Sequence, residues 1–260
     1  MGRIVLAVVL AVGITTALDA SGYSAFSALP LIPLFVGFAL LDRIPREELG
    51  LTLGGTDHYS LALAHPLLVM AALAALAQAF GALDLHGFDL GPTARDVAIV
   101  AGATFVMAIV TEEGFFRGWL WAAIARRGAA PVVTLAVTSL AFLAWHLSFA
   151  LISADFHFVP AQVPVFLLNV MLLGVIWGLL RLGSGSIVVS SAGHGLWNGL
   201  AYVLFGVGDR VGELGIKDIG IFGPEVGVLG ACLNAGFAVL LCWLYRDKLW
   251  AQPAPVPAAA

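Results

Sequence analysis

The sequence predicts an all-α, polytopic transmembrane helical bundle of about eight membrane helices, and three observations carry that prediction. Only 11% of the 260 residues are charged while 61% are hydrophobic, and mean hydropathy is +1.01. A soluble domain carries roughly 25% charged residues. Apolar runs long enough to cross ~30 Å of hydrocarbon recur along the whole chain. These runs are rich in Ala, Leu, Val and Gly and do not alternate apolar with polar. Of the two structures that satisfy their own backbone in lipid, they favour helices over a closed barrel.

The first run, Ile4–Leu18, resembles a signal peptide in length but lacks a clear small-x-small cleavage site and reads as a helix. The second, Tyr23–Leu41, contains Pro30 and Pro33 and is expected to kink or break. From Asp42 to His58, Ile44, Leu49, Leu51 and Leu53 stand among charges, as in a short amphipathic piece lying along the inner interface. The third run, Tyr59–Phe80, holds His65 just before Pro66, where it fills a kink. The fourth, Val97–Ala125, is long enough to leave the membrane before its end. Pro131–Ile152, Val163–Leu180 (with Asn169 placed to bridge helices), Ser186–Phe205 and Val226–Tyr245 complete the set. Cys232 and Cys242 in the last run read as small buried hydrophobes, not as a disulfide.

Residues 1–250 are expected to form a single transmembrane domain with a catalytic core at about 97–205, followed by a disordered Pro/Ala-rich tail at 251–260. No internal repeat is visible. The outer connections Asp84–Asp96 and Gly206–Glu225 are acidic and Gly-rich, and Asp155 and His157 read as solvated loop residues.

Charge distribution sets the orientation. With the N-terminus inside, the inner connections hold Arg3, Arg43, Arg46, Arg126, Arg127, Arg181, Arg246 and Lys248, and the outer ones hold only Arg95, Arg210 and Lys217. This asymmetry is the positive-inside pattern. It implies an integral membrane protein with both termini cytoplasmic; short loops and an Ala/Gly/Val-rich composition suggest a bacterial inner membrane. The net charge of −4 provides no basic footprint for nucleic acid.

An ionisable residue inside a membrane helix costs ~2.5–3.5 kcal/mol or more and by default marks function. Only the fourth run carries a cluster: Thr111-Glu112-Glu113-Gly114-Phe115-Phe116-Arg117-Gly118. Glu113 and Arg117 are i,i+4 neighbours in the order that favours an ion pair. That pairing leaves Glu112, about 100° round the helix, without a partner in its own helix. Two further helices offer polar partners, Phe142 to His146 on one and His194 to Asn198 on the other. His194 and Asn198 share a face, so two donors can point at one atom. Gly114/Gly118, Gly174/Gly178 and Gly195/Gly199 are spaced to let helices approach closely.

Together these residues suggest hydrolysis. Glu112 with His146 would hold and deprotonate a water, and His194 with Asn198 would stabilise the oxyanion. Glu113 with Arg117 would support the first pair from behind, Phe142 would pack, and Trp145 and Trp197 would wall the cavity. At these positions the sequence resembles the CPBP intramembrane protease family, which includes the CAAX-processing type II prenyl endopeptidases. Its three signatures, Glu-Glu-x-x-x-Arg, Phe-x-x-x-His and His-x-x-x-Asn, read here as Glu112-Glu113 to Arg117, Phe142 to His146 and His194 to Asn198, in the family's order.

The resemblance implies an eight-helix intramembrane endopeptidase acting on a membrane-associated protein or peptide in the lipid bilayer. Its task would be CAAX-type, C-terminal-anchor or peptide-maturation processing. It leaves open whether the enzyme is of glutamate or metallo type. There is no His-Glu-x-x-His pair of ligands, and the first expectation is that no cofactor is required; a zinc ion would fall to Glu112, His146 and His194. A non-catalytic scaffold or immunity protein, a transporter or proton relay, and a haem protein with His146 and His194 as axial ligands stand as the rival readings.

Overall fold

Each apolar run folds as helix. The computed structural model describes residues 1–208 and 210–252; the tail expected to be disordered lies, from 253 onward, outside the described residues. In chain order the helices are α1 (Gly2–Ala20), α2 (Leu31–Leu41), α3 (Thr56–Ala79), α4 (Leu90–Val110), α5 (Trp121–Ala125), α6 (Pro131–Ile152), α7 (Val163–Ser184), α8 (Ile187–Leu200), α9 (Ile219–Phe222), α10 (Val228–Leu244) and α11 (Arg246–Leu249). Among the described residues, six helical stretches are long and apolar enough to cross a membrane: Gly2–Ala20, Ser24–Leu41, Thr56–Ala79, Leu90–Ala125, Pro131–Ile152 and Pro160–Ser184. α10 is a shorter apolar helix, and α8 is prolonged by a π-helical stretch, Ala201–Phe205. The chain is thus a polytopic helical bundle. Among the described residues its only strands are a two-residue antiparallel ladder, Gly206–Val207 with Arg210–Val211.

Three departures from simple helices matter for the site. The second run is broken as its prolines predict: a 3₁₀ turn at Ser24–Phe26 precedes α2, which restarts with Pro30 as its cap and Pro33 in its first turn. There a missing N–H costs no helical bond. The fourth run breaks at Thr111 (φ −110°, ψ −103°) and continues as a π-helix over Glu113–Leu120 before α5. A widened turn of this kind is rare and tends to occur at functional sites.

The third departure is the segment after Asp42, which is a series of turns with Ile44 and Leu49 buried in the core and Leu53 exposed. Long-range bonds decide its path: Arg126 grips the Glu48 carboxylate at 2.6 and 3.0 Å, and Arg181 Nη2 donates to the Glu48 carbonyl at 2.8 Å. Cys232 and Cys242 are also less buried than expected, one exposed and the other half-buried on α10.

α8 sits against α4, α3 and α7, at the centre of the bundle. Its glycines make the closest approach. A Cβ on Gly195 would lie 2.6 Å from the Ala101 carbonyl oxygen and 2.8 Å from the Phe105 nitrogen, and one on Gly199 would lie 2.8 Å from the Val97 oxygen. Backbone cannot yield as a flexible side chain can. Gly195→Ala is therefore expected to destabilise the protein by about 1–3 kcal/mol through overpacking, read as a lowered melting temperature in detergent. An unchanged melting temperature would mean that α4 and α8 are not in contact there.

Candidate active site

Past the break at Thr111, the consecutive glutamates face the two ring nitrogens of His194, Glu112 toward Nε2 and Glu113 toward Nδ1. Glu113 and Arg117 are completely buried, and Arg117 Nη1 stands 3.4 Å from Glu113 Oε1. The guanidinium also donates from Nη2 to the Gly174 carbonyl at 3.2 Å and lies over the Phe142 ring, 4.1 Å from its centroid. A desolvated cation over an aromatic face is held by the ring quadrupole. Phe142 is therefore more than filler: it is the floor under Arg117.

Glu113 in turn organises α8. Its Oε2 accepts from the Ser190 hydroxyl at 2.7 Å, and its Oε1 lies 3.2 Å from His194 Nδ1. A carboxylate already paired with arginine accepts, so His194 donates from Nδ1 and turns Nε2 toward Glu112, whose Oε2 is 3.8 Å away. The indole of Trp177 stacks on the His194 ring at 3.8 Å between centroids and 11° between planes, which fixes the ring's orientation. Glu112 is 18% exposed where Glu113 is wholly enclosed. On α6, His146 Nδ1 lies 2.9 Å from the Phe142 carbonyl, which can only accept. His146 therefore donates from Nδ1, and in the neutral ring Nε2 keeps a free lone pair.

Glu112, His146, His194 and Asn198, the four residues the sequence singled out, line one cavity of about 310 Å³. Its walls include the aromatic side chains of Phe142, Trp145, Phe166 and Trp177. A smaller groove of about 240 Å³ also reaches Glu112 and Asn198, from between the turn before α2 (Ala28) and α4 (Ala103, Met107). Glu112 thus sits where an inner cavity and a groove along α4 meet.

Some residues play parts the sequence did not suggest. Trp145 walls the cavity as expected, but Trp197 does not line it. Trp197 is fully buried, stacks on His65 at 5.0 Å, and donates from Nε1 to Glu225 Oε1 at 3.2 Å. Trp177, passed over in the sequence, takes the place beside the histidine. Ser190 was also missed, although its position one turn before His194 on the same helix face was a usable signal. Glu225 had no such signal, since it belongs to an acidic loop.

Glu225 is carried into the cavity by a chain of amides: His65 Nε2 to Asn234 Oδ1 (2.9 Å), Asn234 Nδ2 to Asn169 Oδ1 (2.9 Å), and Asn169 Nδ2 to the Glu225 carbonyl (2.8 Å). Asn169 does bridge helices, and His65 anchors this chain beyond filling a kink. Burial pushes the Glu225 carboxyl up to about 7 against the opposing hydrogen bond from Trp197.

The zinc ligation open to Glu112, His146 and His194 requires three donors aimed at one point. Among the described residues no three His, Cys, Asp or Glu side chains form such a group. Each histidine is held through Nδ1, His146 by the Phe142 carbonyl and His194 by Glu113, which leaves Nε2 of both rings facing the site.

A family model described as type II CAAX prenyl endopeptidase Rce1-like matches residues 94–200, from the first turns of α4 to the end of α8. That span contains Glu112, Glu113, Arg117, Phe142, His146, His194 and Asn198. No curated protein and no solved structure matches the chain.

Proposed function

We propose that this chain, which belongs through residues 94–200 to the Rce1-like family of type II CAAX prenyl endopeptidases, hydrolyses a peptide bond of a membrane-associated protein or peptide with a water activated by Glu112. The observation that carries this reading is the convergence of Glu112, His146, His194 and Asn198 from three helical runs on one partly open cavity.

In this mechanism the water lies between Glu112 and His146, donating one hydrogen to each. His146 accepts at Nε2, the nitrogen its bond to Phe142 leaves free. Glu112 takes a proton as the water oxygen attacks the scissile carbonyl carbon. The C=O π electrons move to oxygen, and the oxyanion is met by the Asn198 amide and by His194 when its Nε2 carries a proton. Collapse breaks the C–N bond, the proton held by Glu112 passes to the leaving nitrogen, and the second water proton leaves the new carboxyl group through His146 Nε2 to solvent. The products are a carboxylate, an amine and that released proton, and no oxidant enters the balance. Glu113, clamped by Arg117 and Ser190, holds the His194 ring in place. Residues 1–250 act as one catalytic unit in this reading, because α3, α7 and α10 together position Glu225 at the cavity.

The test is cleavage of membrane peptides by the purified protein. Asn198→Ala is expected to lower the rate by about 10²–10³-fold through loss of an oxyanion donor. Chelator treatment should leave the rate intact, and metal analysis should find well under one equivalent. Stoichiometric zinc that vanishes in His146→Ala would replace the metal-free mechanism by a metal-assisted one. Full activity of Asn198→Ala would remove this residue from the site.

A further inference from the structure

The two ends of the bundle differ. One end is sealed: Arg126 clamps Glu48 bidentately, Arg3 pairs with Asp42 at 2.8 Å, and Trp119 donates to Asp42 at 3.0 Å. Beneath the site Arg181 donates to the carbonyls of Arg117 (3.2 Å) and Glu48 (2.8 Å), and Lys248 donates to that of Gly183. Ile44 and Leu49 complete this floor.

The other end is where the cavity's polar rim lies. Ser24 and Ser27 come from the connection between α1 and α2, Phe158 from that between α6 and α7, and Glu225 from that between α9 and α10. The first two connections are tied together at the mouth, where Ser24 and Ser153 share a hydrogen bond of 2.9 Å and Asp155 accepts from the Ser24 nitrogen and the Ser153 hydroxyl. Asp155 is thus an exposed loop residue, as expected, that also straps the rim.

The sealed end carries the eight Arg and Lys of the predicted inner connections, and the mouth's end carries Arg95, Arg210 and Lys217. Cytoplasmic ends are the basic ones. The groove between Ala28 and α4 is lined by the exposed Met107, and Leu29 and Val106, each next in sequence to a lining residue, are exposed apolar side chains suited to lipid. A substrate's membrane segment can lie in that groove while its flank enters the cavity through Ala28, which lines both.

We propose, building on the proteolytic reading above, that the active site opens to the non-cytoplasmic side and cleaves exported proteins on the outer flank of a membrane-anchoring segment. Such a substrate has a stretch of roughly 20 apolar residues, enough to span the bilayer, and a translocated flank that meets Glu225 and Asn198 on its way to Glu112.

Two arms test this. In a background with Cys232 and Cys242 changed to Ser, Ala25→Cys and Arg46→Cys place thiols at the mouth and at the sealed end, both at exposed positions. A membrane-impermeant maleimide applied to intact spheroplasts should label Ala25→Cys, and should label Arg46→Cys only after permeabilisation. The second arm compares terminal peptides, by mass spectrometry, in source cells carrying the wild-type protein or Glu112→Gln. Uncleaved proteins that accumulate with Glu112→Gln should bear export signals and a cut site on the outer flank. Labelling of Ala25→Cys only after permeabilisation, or cut sites on the cytoplasmic flank, would overturn the sidedness while leaving the protease intact. Outside labelling with no change in any terminal peptide would instead overturn the proteolytic reading, and this proposal with it.

Discussion

Glu112→Gln is expected to lower peptide-bond cleavage by about 10²–10⁴-fold or more while the protein keeps its melting temperature. The amide has the shape and volume of the carboxylate but cannot take a proton from water. Stability should hold because Glu112 is partly open to the cavity and its closest charged neighbour is His194 at 3.8 Å. The fold therefore leans little on its charge. The pair of readouts matters: lost activity with an unchanged melting temperature assigns Glu112 to the reaction. Lost activity with a lowered melting temperature would make it a structural group. Undiminished cleavage would bring the scaffold and proton-relay readings forward.

Arg117→Ala is expected to do the reverse, damaging the fold first. It removes the cation that faces Glu113 at 3.4 Å in a site closed to solvent, along with the bond to Gly174 and the stack on Phe142. Leaving one partner of a buried pair uncompensated typically costs ~3–5 kcal/mol. Yield and melting temperature should both drop, and activity should fall with them because Glu113 then no longer holds His194 firmly. Adding Glu113→Gln should recover part of the stability, since the orphaned charge is gone, but not the activity. An Arg117→Ala protein as stable as its parent would mean that water reaches the pair.

Much of this arrangement is legible in the sequence, because in lipid every buried charge or imidazole needs a partner. Three polar insertions on three apolar runs had to meet, and Glu112, His146, His194 and Asn198 do line one cavity. Pro30 and Pro33 likewise foretell the break before α2, since a missing N–H acts locally. What could not be read depends on contacts distant in sequence. The π-helix over Glu113–Leu120 leaves no mark in residue periodicity; within it Gly114 lies against Phe35 of α2, far away in sequence.

The segment after Asp42 has an amphipathic pattern, yet Arg126 and Arg181 draw it into turns beneath the site. Choosing between Trp177 and Trp197 as the cavity wall needs the rotation of two helices, which neighbouring positions to His146 and His194 do not supply. Glu225 reaches the cavity only through Asn169, Asn234 and His65, from three separate helices.

The most direct measurement of hydrolysis by a Glu112-activated water is isotopic. The purified protein in lipid nanodiscs would be incubated in ¹⁸O-labelled water with a pool of synthetic single-span membrane peptides, and the products read by mass spectrometry. The expected result is new C-terminal carboxylates carrying one ¹⁸O from a single turnover, abundant with the wild-type protein and nearly absent with Glu112→Gln. Peptides that remain whole with the wild-type protein, or labelled products formed equally well by Glu112→Gln, would contradict the account.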